Sequence, residues 1–161
     1  MEGPPRKSFP LLLRVPVPWV FVLAYLAGVA LERVMPMGMP RSDVARWSGV
    51  AGGMLFAAGA ALATWSLVLF RRARTTTIPG RRSAALVTAG PYRFTRNPMY
   101  VALTLAYVGE TGLLVQVWPL VLLPFVLAYL NRIVIPIEEG RLAEVFGADY
   151  ERYRAGVRRW V

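Results

Sequence analysis

The chain has 161 residues, of which 56% are hydrophobic, and its formal net charge is +10 at pH 7. This length accommodates one compact unit, and the apolar fraction is higher than in an ordinary soluble domain. The basic residues lie between long uncharged runs instead of alternating with aromatic residues, which argues against a nucleic-acid-binding protein. Because the sequence has no Cys and no His, it excludes disulfides, thiolate nucleophiles, Cys/His zinc sites and histidine general-base catalysis.

Four mainly uncharged runs predict four spanning helices, since a helix needs about 20 apolar residues to cross a bilayer. The predicted spans cover residues 15–32, 44–71, 98–110 and 113–137. The third is short, but Pro98 can occupy the first turn of a helix. We interpret the stretch from Glu110 to Gly112 as a tight turn that makes the last two spans a hairpin. The predicted fold is an all-α integral membrane bundle, one domain over residues 1–161, with a short amphipathic helix at the C-terminus.

The distribution of arginine predicts the orientation of this bundle. Seven Arg residues lie between Arg71 and Arg96, and five more follow from Arg141 onward. The predicted turn near Glu110 has no basic residue. By the positive-inside rule, both termini and the middle loop are expected in the cytoplasm, with the spans in the inner membrane. Segments 71–97 and 138–161 are then expected to form one pocket on the cytoplasmic side.

The second predicted span carries small residues at four-residue spacing. Such a stripe lets another helix approach closely. An oligomer could form through it, but we favour a monomer in which the stripe packs against another helix of the same chain. The stripe consists of Gly49, Gly53, Ala57 and Ala61.

Two blocks of polar and aromatic residues lie at the ends of the last two spans. The first, LVTAGPYRFTRNPMY at residues 86–100, contains a Gly-Pro turn signal and precedes the third span. The second contains Arg132, Pro136 and the pair Glu138 and Glu139, followed by FGADYERY at residues 146–153. Pro136 removes a backbone hydrogen bond from a helix interior, so we expect a kink there.

Together the two blocks resemble the signature of isoprenylcysteine carboxyl methyltransferases and related phospholipid methyltransferases. That signature contains L-V-T-x-G-x-Y, then R-H-P-x-Y, then a paired Glu and F-G-x-x-Y-x-x-Y. The resemblance covers about the last half of the chain. One position departs from it, because Asn97 stands where the family usually has His. Asn forms hydrogen bonds but cannot carry a proton charge.

The resemblance implies methyl transfer from S-adenosylmethionine to a lipophilic acceptor, namely an isoprenoid-like compound, a carboxylate or a lipid. It implies an acceptor-side role for Arg132, and Glu139 is the second candidate catalytic residue. The cofactor contacts that it implies are Ala84, Ala85, Leu86, Val87, Tyr92, Asn97, Pro98, Met99, Tyr100 and Glu138.

The residue types suit this chemistry. A carboxylate such as Glu138 can accept hydrogen bonds from the amino or ribose groups of the donor, and Arg132 can hold a substrate carboxylate bidentately. A carboxylate acceptor is already ionised at pH 7, so a site without His needs no general base. The expected partners are therefore a lipophilic substrate and membrane lipids, and no nucleic acid. Two alternatives stay open: an NADPH-dependent reductase of the sterol-reductase type, and a non-catalytic membrane scaffold in which Asn97 marks a lost activity.

Overall fold

The computed structural model describes residues 16–37, 43–73 and 85–161, and the secondary structure in these ranges is entirely helical. The all-α fold is therefore confirmed. In chain order the elements are α1 (Val17–Val34), α2 (Asp43–Arg72), a 3-10 turn (Gly90–Arg93), α3 (Pro98–Leu114), α4 (Trp118–Tyr129), a π-helical turn (Leu130–Val134), α5 (Ile135–Phe146) and α6 (Ala148–Gly156).

Three helical stretches of the described residues are long and apolar enough to cross a membrane by length and composition. They are Val17–Val34, Asp43–Arg72 and the continuous stretch Trp118–Phe146 that joins α4, the π-helical turn and α5. α3 has 17 residues and is the shortest of the predicted spans. Its apolar sequence packs along α2, whereas α4 packs mainly against α1.

Glycine allows α2 and α3 to pack backbone against backbone. A Cβ at Gly59 would lie 2.7 Å from the carbonyl oxygen of Ala102 and 2.7 Å from the amide nitrogen of Ala106. A Cβ at Gly52 would lie 2.6 Å from the carbonyl oxygen of Gly109. These distances are below van der Waals contact, so only glycine permits this approach.

The small-residue stripe predicted to form this contact lies on a different face. A Cβ at Gly49 would meet nothing within 4 Å, and one at Gly53 would meet only the tip of Leu113 at 3.6 Å. Ala57 and Ala61 are exposed. The packing role predicted for the stripe is therefore wrong, because the face centred on Gly52 and Gly59, about seven residues apart, is the one that contacts α3.

The connection between α3 and α4 also lies further along the sequence than predicted. α3 continues through Glu110 and Gly112 to Leu114, and Val115 adopts a left-handed conformation with φ of 53°. The predicted turn at Glu110 to Gly112 is therefore wrong: three residues, 115–117, form the connection.

The backbone irregularity near Pro136 precedes the proline instead of centring on it. Residues 130–134 form a π-helical turn in which the amide of Ile135 donates to the carbonyl of Leu130. Pro136 has no amide hydrogen and its ring crowds the carbonyl four residues earlier. A wider turn at that point relieves this crowding, and π-turns of this kind interrupt α-helices frequently at functional sites.

The end of the bundle that carries the α3–α4 connection is held by one carboxylate. Glu32 Oε2 accepts hydrogen bonds from the amides of Val117 and Trp118, both at 3.1 Å, and its Oε1 accepts one from the amide of Met37 at 2.9 Å. Glu32 of α1 thereby binds amide groups at the start of α4, which a helix cannot satisfy internally. Tyr25 strengthens the same end by donating to Gln116 Oε1 at 2.8 Å.

Candidate active site

The segment before α3 turns sharply and presses a tyrosine onto α2. Gly90 has φ of +62°, and a Cβ there would lie 2.6 Å from Leu69 Cδ1. The left-handed conformation favours glycine, and a Cβ would in addition have to displace the end of the Leu69 side chain. The next residue, Pro91, opens the 3-10 turn, and Tyr92 follows, buried with its ring edge-on to Phe70 at a centroid distance of 5.4 Å. The LVTAGPY block therefore holds Tyr92 in place at one end of the bundle.

Tyr92 is a neutral phenol in this environment. Burial raises its pKa, and the neighbouring Tyr153 and Glu138 raise it further, while a hydrogen bond with Ser66 acts in the opposite direction. Tyr153 in addition donates its hydroxyl to the backbone oxygen of Tyr92 at 2.8 Å. A neutral Tyr92 retains its hydroxyl proton and can donate a hydrogen bond.

The second tyrosine of the motif contacts the first glutamate of the pair directly. The Tyr100 hydroxyl lies 2.8 Å from both Oε1 and Oε2 of Glu138. Tyr100 is in the first turn of α3, and Glu138 is in the first turn of α5. The structure therefore brings Tyr92, Tyr100 and Glu138 together, although they come from three separate elements. Four lone-pair sites on the Glu138 carboxylate exceed what one hydroxyl can use, so acceptor capacity is left for a ligand.

The second glutamate of the pair has different surroundings. Glu139 is 7% exposed, and arginine binds both of its oxygens: Arg96 Nη2 at 2.8 Å from Oε1, and Arg159 Nη2 at 2.7 Å from Oε2. Nε of each arginine also donates to Oε1 at 3.2 Å. The catalytic role of Glu139 stays a prediction, but its contacts are those of a positioning group that joins α5 to two other segments.

The end of the chain runs back across the start of α3. We call residues 157–161 the C-terminal strap. The amide of Arg96 donates to the carbonyl of Arg158 at 2.9 Å, and Arg96 Nη1 donates to the carbonyls of Arg154 and Val157. The strap is thus held through its backbone by one residue of the R-N-P-M-Y block.

Asn97 completes this attachment. Its Nδ2 donates to the carbonyl of Arg159 at 2.9 Å, and Thr95 Oγ1 donates to the same oxygen at 3.0 Å. Thr95 Oγ1 also accepts the amide proton of Asn97 at 3.1 Å. The residue that departs from the family signature therefore has a structural partner in this chain, and that partner is the strap.

Arg132 lies apart from these groups, in a groove between α3 and α4. The groove has a volume of about 630 Å³ and an almost entirely apolar lining. Arg132 is exposed and forms no hydrogen bond or ion pair with the residues that the structure describes. The lining residues are Val101, Thr104, Leu105, Leu127, Ala128, Asn131, Arg132, Trp160 and Val161.

The remaining predicted cofactor contacts occupy the segment that leads into α3. Ala84 lies outside the described residues. Ala85, Leu86 and Val87 are half-buried in irregular backbone before Gly90. Pro98 is buried at the first position of α3 and Met99 is half-buried beside it.

Sequence reasoning missed the partners that hold the site together. In the sequence Arg96 and Arg159 indicate only topology, and the hydrogen bonds of the strap are accepted by backbone carbonyls, which every residue type provides. The available signal is the position of Arg96 in the motif block, which it shares with Arg93, whereas the other five arginines of residues 71–96 lie outside the block.

The described fold and site define a helical membrane protein whose two motif blocks meet at one end of the bundle. The sequence profile of the phospholipid methyltransferase family matches residues 47–149. The chain therefore belongs to the phospholipid methyltransferase family, a family of membrane methyltransferases, in agreement with the resemblance carried by its motifs. No curated protein and no solved structure matches the chain.

Proposed function

We propose that this protein transfers a methyl group from S-adenosylmethionine to a lipophilic acceptor that carries an anionic group. The observation that carries the proposal is the contact between Tyr100 and Glu138, with Tyr92 beside them, at the junction of the two motif blocks. The family match supports methyl transfer as the reaction class. The nature of the donor and the acceptor is our inference from the residues.

The residues at this junction fit the proposed donor. Glu138 can accept hydrogen bonds from an ammonium or from ribose hydroxyls, and such charge-assisted bonds are the stronger ones. Tyr100 is half-buried beside Glu138 and provides an aromatic ring, which suits a nucleoside and also the positive charge of a sulfonium. When bound, the donor supplies an activated methyl group, so the protein needs no nucleophile of its own.

The groove between α3 and α4 fits the proposed acceptor. Its apolar lining suits a hydrocarbon chain, and the Arg132 guanidinium suits a carboxylate or phosphate at the polar end of that chain. A carboxylate is ionised at pH 7, so the chain's residues have only to orient it and exclude water. This task requires no histidine, which agrees with a site in which Asn97 binds the strap.

The arginine distribution supports a further part of the proposal, the orientation. We place the motif end of the bundle and both termini on the cytoplasmic side of the inner membrane. The donor would enter from the cytoplasm, and the acceptor laterally from the adjacent leaflet.

Calorimetric titration of the detergent-solubilised protein with S-adenosylhomocysteine and with NADPH tests the proposal. We expect S-adenosylhomocysteine to bind and NADPH not to bind. Glu138→Gln should weaken binding at least tenfold, because loss of a hydrogen bond to a charged group costs about 1.5–3 kcal/mol. Glu144→Gln, an exposed position on the same helix α5, is the matched control and should bind as wild type does.

Other outcomes would contradict the proposal in distinct ways. NADPH binding alone would favour the reductase alternative. Binding of neither compound would favour a non-catalytic scaffold. If Glu138→Gln and Glu144→Gln changed the affinity for S-adenosylhomocysteine equally, Glu138 would not be a cofactor contact.

A further inference from the structure

The groove between α3 and α4 is closed at one side by the C-terminal strap and not by a helix. Trp160 and Val161 line the groove together with Leu105 of α3 and Leu127 of α4. Trp160 has the largest side chain among the lining residues, so its truncation would remove more volume from the lining than truncation of any other.

Trp160 is held in place from two directions. Its indole N–H donates to Asn131 Oδ1 at 3.2 Å, and its ring packs half-buried against the core of the bundle. The preceding residue, Arg159, donates to the same Asn131 Oδ1 at 3.2 Å and forms the ion pair with Glu139. The contacts of the strap therefore hold the Trp160 side chain in place along one side of the groove. A rotamer change of Trp160 alone would break its indole hydrogen bond.

We propose that Trp160 is a specificity-determining residue that limits the bulk of the acceptor chain in the groove. The inference rests on the proposed function, in which the groove holds the apolar part of an anionic acceptor next to Arg132. A side chain that forms the wall of an apolar pocket discriminates between ligands by the volume it leaves, and one methylene typically changes binding by about tenfold or more in such pockets. Trp160 therefore disfavours branched chains relative to straight ones.

Binding of two long-chain acids to the purified full-length protein tests this inference without methyl transfer. Hexadecanoic acid and its tetramethyl-branched analogue, phytanic acid, are compared by displacement of a fluorescent fatty acid. The readout is the ratio of the two affinities. In the wild type we expect hexadecanoic acid to bind more tightly. Trp160→Ala should shift the ratio toward phytanic acid by about tenfold.

Three further variants guard against a misfolded protein. Trp160→Leu keeps an apolar side chain on the strap and should shift the ratio in the same direction by a smaller factor. Leu105→Phe narrows the groove from the α3 side and should shift the ratio toward hexadecanoic acid. Trp47→Ala removes an exposed tryptophan of α2, and its ratio should equal that of the wild type.

The outcomes separate this inference from the proposed function. An unchanged ratio in Trp160→Ala and Trp160→Leu, or no binding of either acid to the wild type, overturns the inference. If the ratio shifts as expected while S-adenosylhomocysteine fails to bind any variant, the role of Trp160 stands and the proposed methyl transfer fails. Arg132→Gln should weaken both acids equally, because it removes the contact to the shared carboxylate and not to the chain.

Discussion

At the scale of single residues, Asn97 has a structural contact besides the cofactor contact that its motif position implies and that stays a prediction. The resemblance placed it among the cofactor contacts, where the family usually has His. In the structure its side-chain amide donates to the carbonyl of Arg159 and so attaches the strap to the start of α3. An amide can fulfil this task at any physiological pH, because it does not titrate. Asn in place of the family's His therefore still provides a side chain that holds the strap.

Asn97 variants test this task. Asn97→Ala should destabilise the protein by about 1 kcal/mol, because one intramolecular hydrogen bond is lost. Asn97→Asp should be at least as destabilising, although it has the same size, because a carboxylate has no proton to donate to the Arg159 carbonyl. Asn97→His, which offers a ring N–H, should fall between the wild type and Asn97→Ala. Thermal unfolding of the three variants in one detergent measures the order.

Hydrogen exchange of the strap amides gives a second readout of the same variants. The assigned role would be contradicted if Asn97→Asp unfolded at the same temperature as the wild type and hydrogen exchange in residues 157–161 did not accelerate. In that case Asn97 would not attach the strap to α3.

At the scale of the elements, α2 and α3 show which parts of the fold can be predicted from sequence. The bounds of α1 and α2, Val17–Val34 and Asp43–Arg72, lie within two residues of the predicted spans because the hydrophobic run itself determines them. The contact face of α2 could not be chosen, because small residues occur on neighbouring faces and two glycines, Gly52 and Gly53, are adjacent. Only the partner helix decides which of them is covered.

The end of α3 illustrates the same limit. In the sequence Glu110 and Gly112 predict a turn, because a charge and a glycine interrupt an apolar run. In the structure Gly112 lies against α2, where a Cβ would be 2.8 Å from the carbonyl oxygen of Ser48. The glycine thus serves helix packing, and its local preference for a turn is overridden by the tertiary contact.

Alanine substitutions at two glycines of α2 distinguish the covered face from the open one. Gly59→Ala should destabilise the protein by about 1–3 kcal/mol, because the new methyl group must displace the backbone of α3. Gly49→Ala meets nothing within 4 Å and should be neutral or stabilising by up to about 1 kcal/mol through helix propensity. Thermal unfolding in the same detergent provides the comparison. Similar losses at both positions would contradict the assigned contact face.

At the scale of the whole molecule, a glutamate at each end of the bundle joins separate segments of the chain. Glu32 binds the start of α4 at one end, and Glu139 joins Arg96 and Arg159 at the other. Trp118 and Glu138 are twenty residues apart along one helical stretch, which corresponds to about 30 Å at 1.5 Å per residue. The sequence indicated the motif end through its signature. It did not indicate the Glu32 end, because a carboxylate that caps another helix has no local pattern.

Removal of either carboxylate should lower the free energy of unfolding, for a different physical reason at each end. Glu139→Gln leaves two largely buried guanidinium groups, with side chains 11% and 30% exposed, without their counterion, and breaking such a pair typically costs about 3–5 kcal/mol. Glu32→Ala leaves amides at the start of α4 without an acceptor and should cost about 1–3 kcal/mol. Glu151→Gln removes an exposed ion pair on α6 and serves as a control, with a loss below about 1 kcal/mol.

The double variant Glu32→Ala/Glu139→Gln tests whether the two ends are independent. Sites this far apart with no shared partner are expected to contribute additively within about 0.5 kcal/mol. Glu32→Ala should leave the affinity for S-adenosylhomocysteine within about twofold of wild type, because additive sites do not transmit strain along α4. Glu139→Gln should weaken that affinity, because it releases α5 beside Glu138. A coupling above about 1 kcal/mol, or a loss of affinity in Glu32→Ala as large as in Glu139→Gln, would mean that α4, the π-helical turn and α5 move as one rigid rod. The π-helical turn would then not separate the two ends, and the position of Glu138 would depend on the cap at the far side of the bundle.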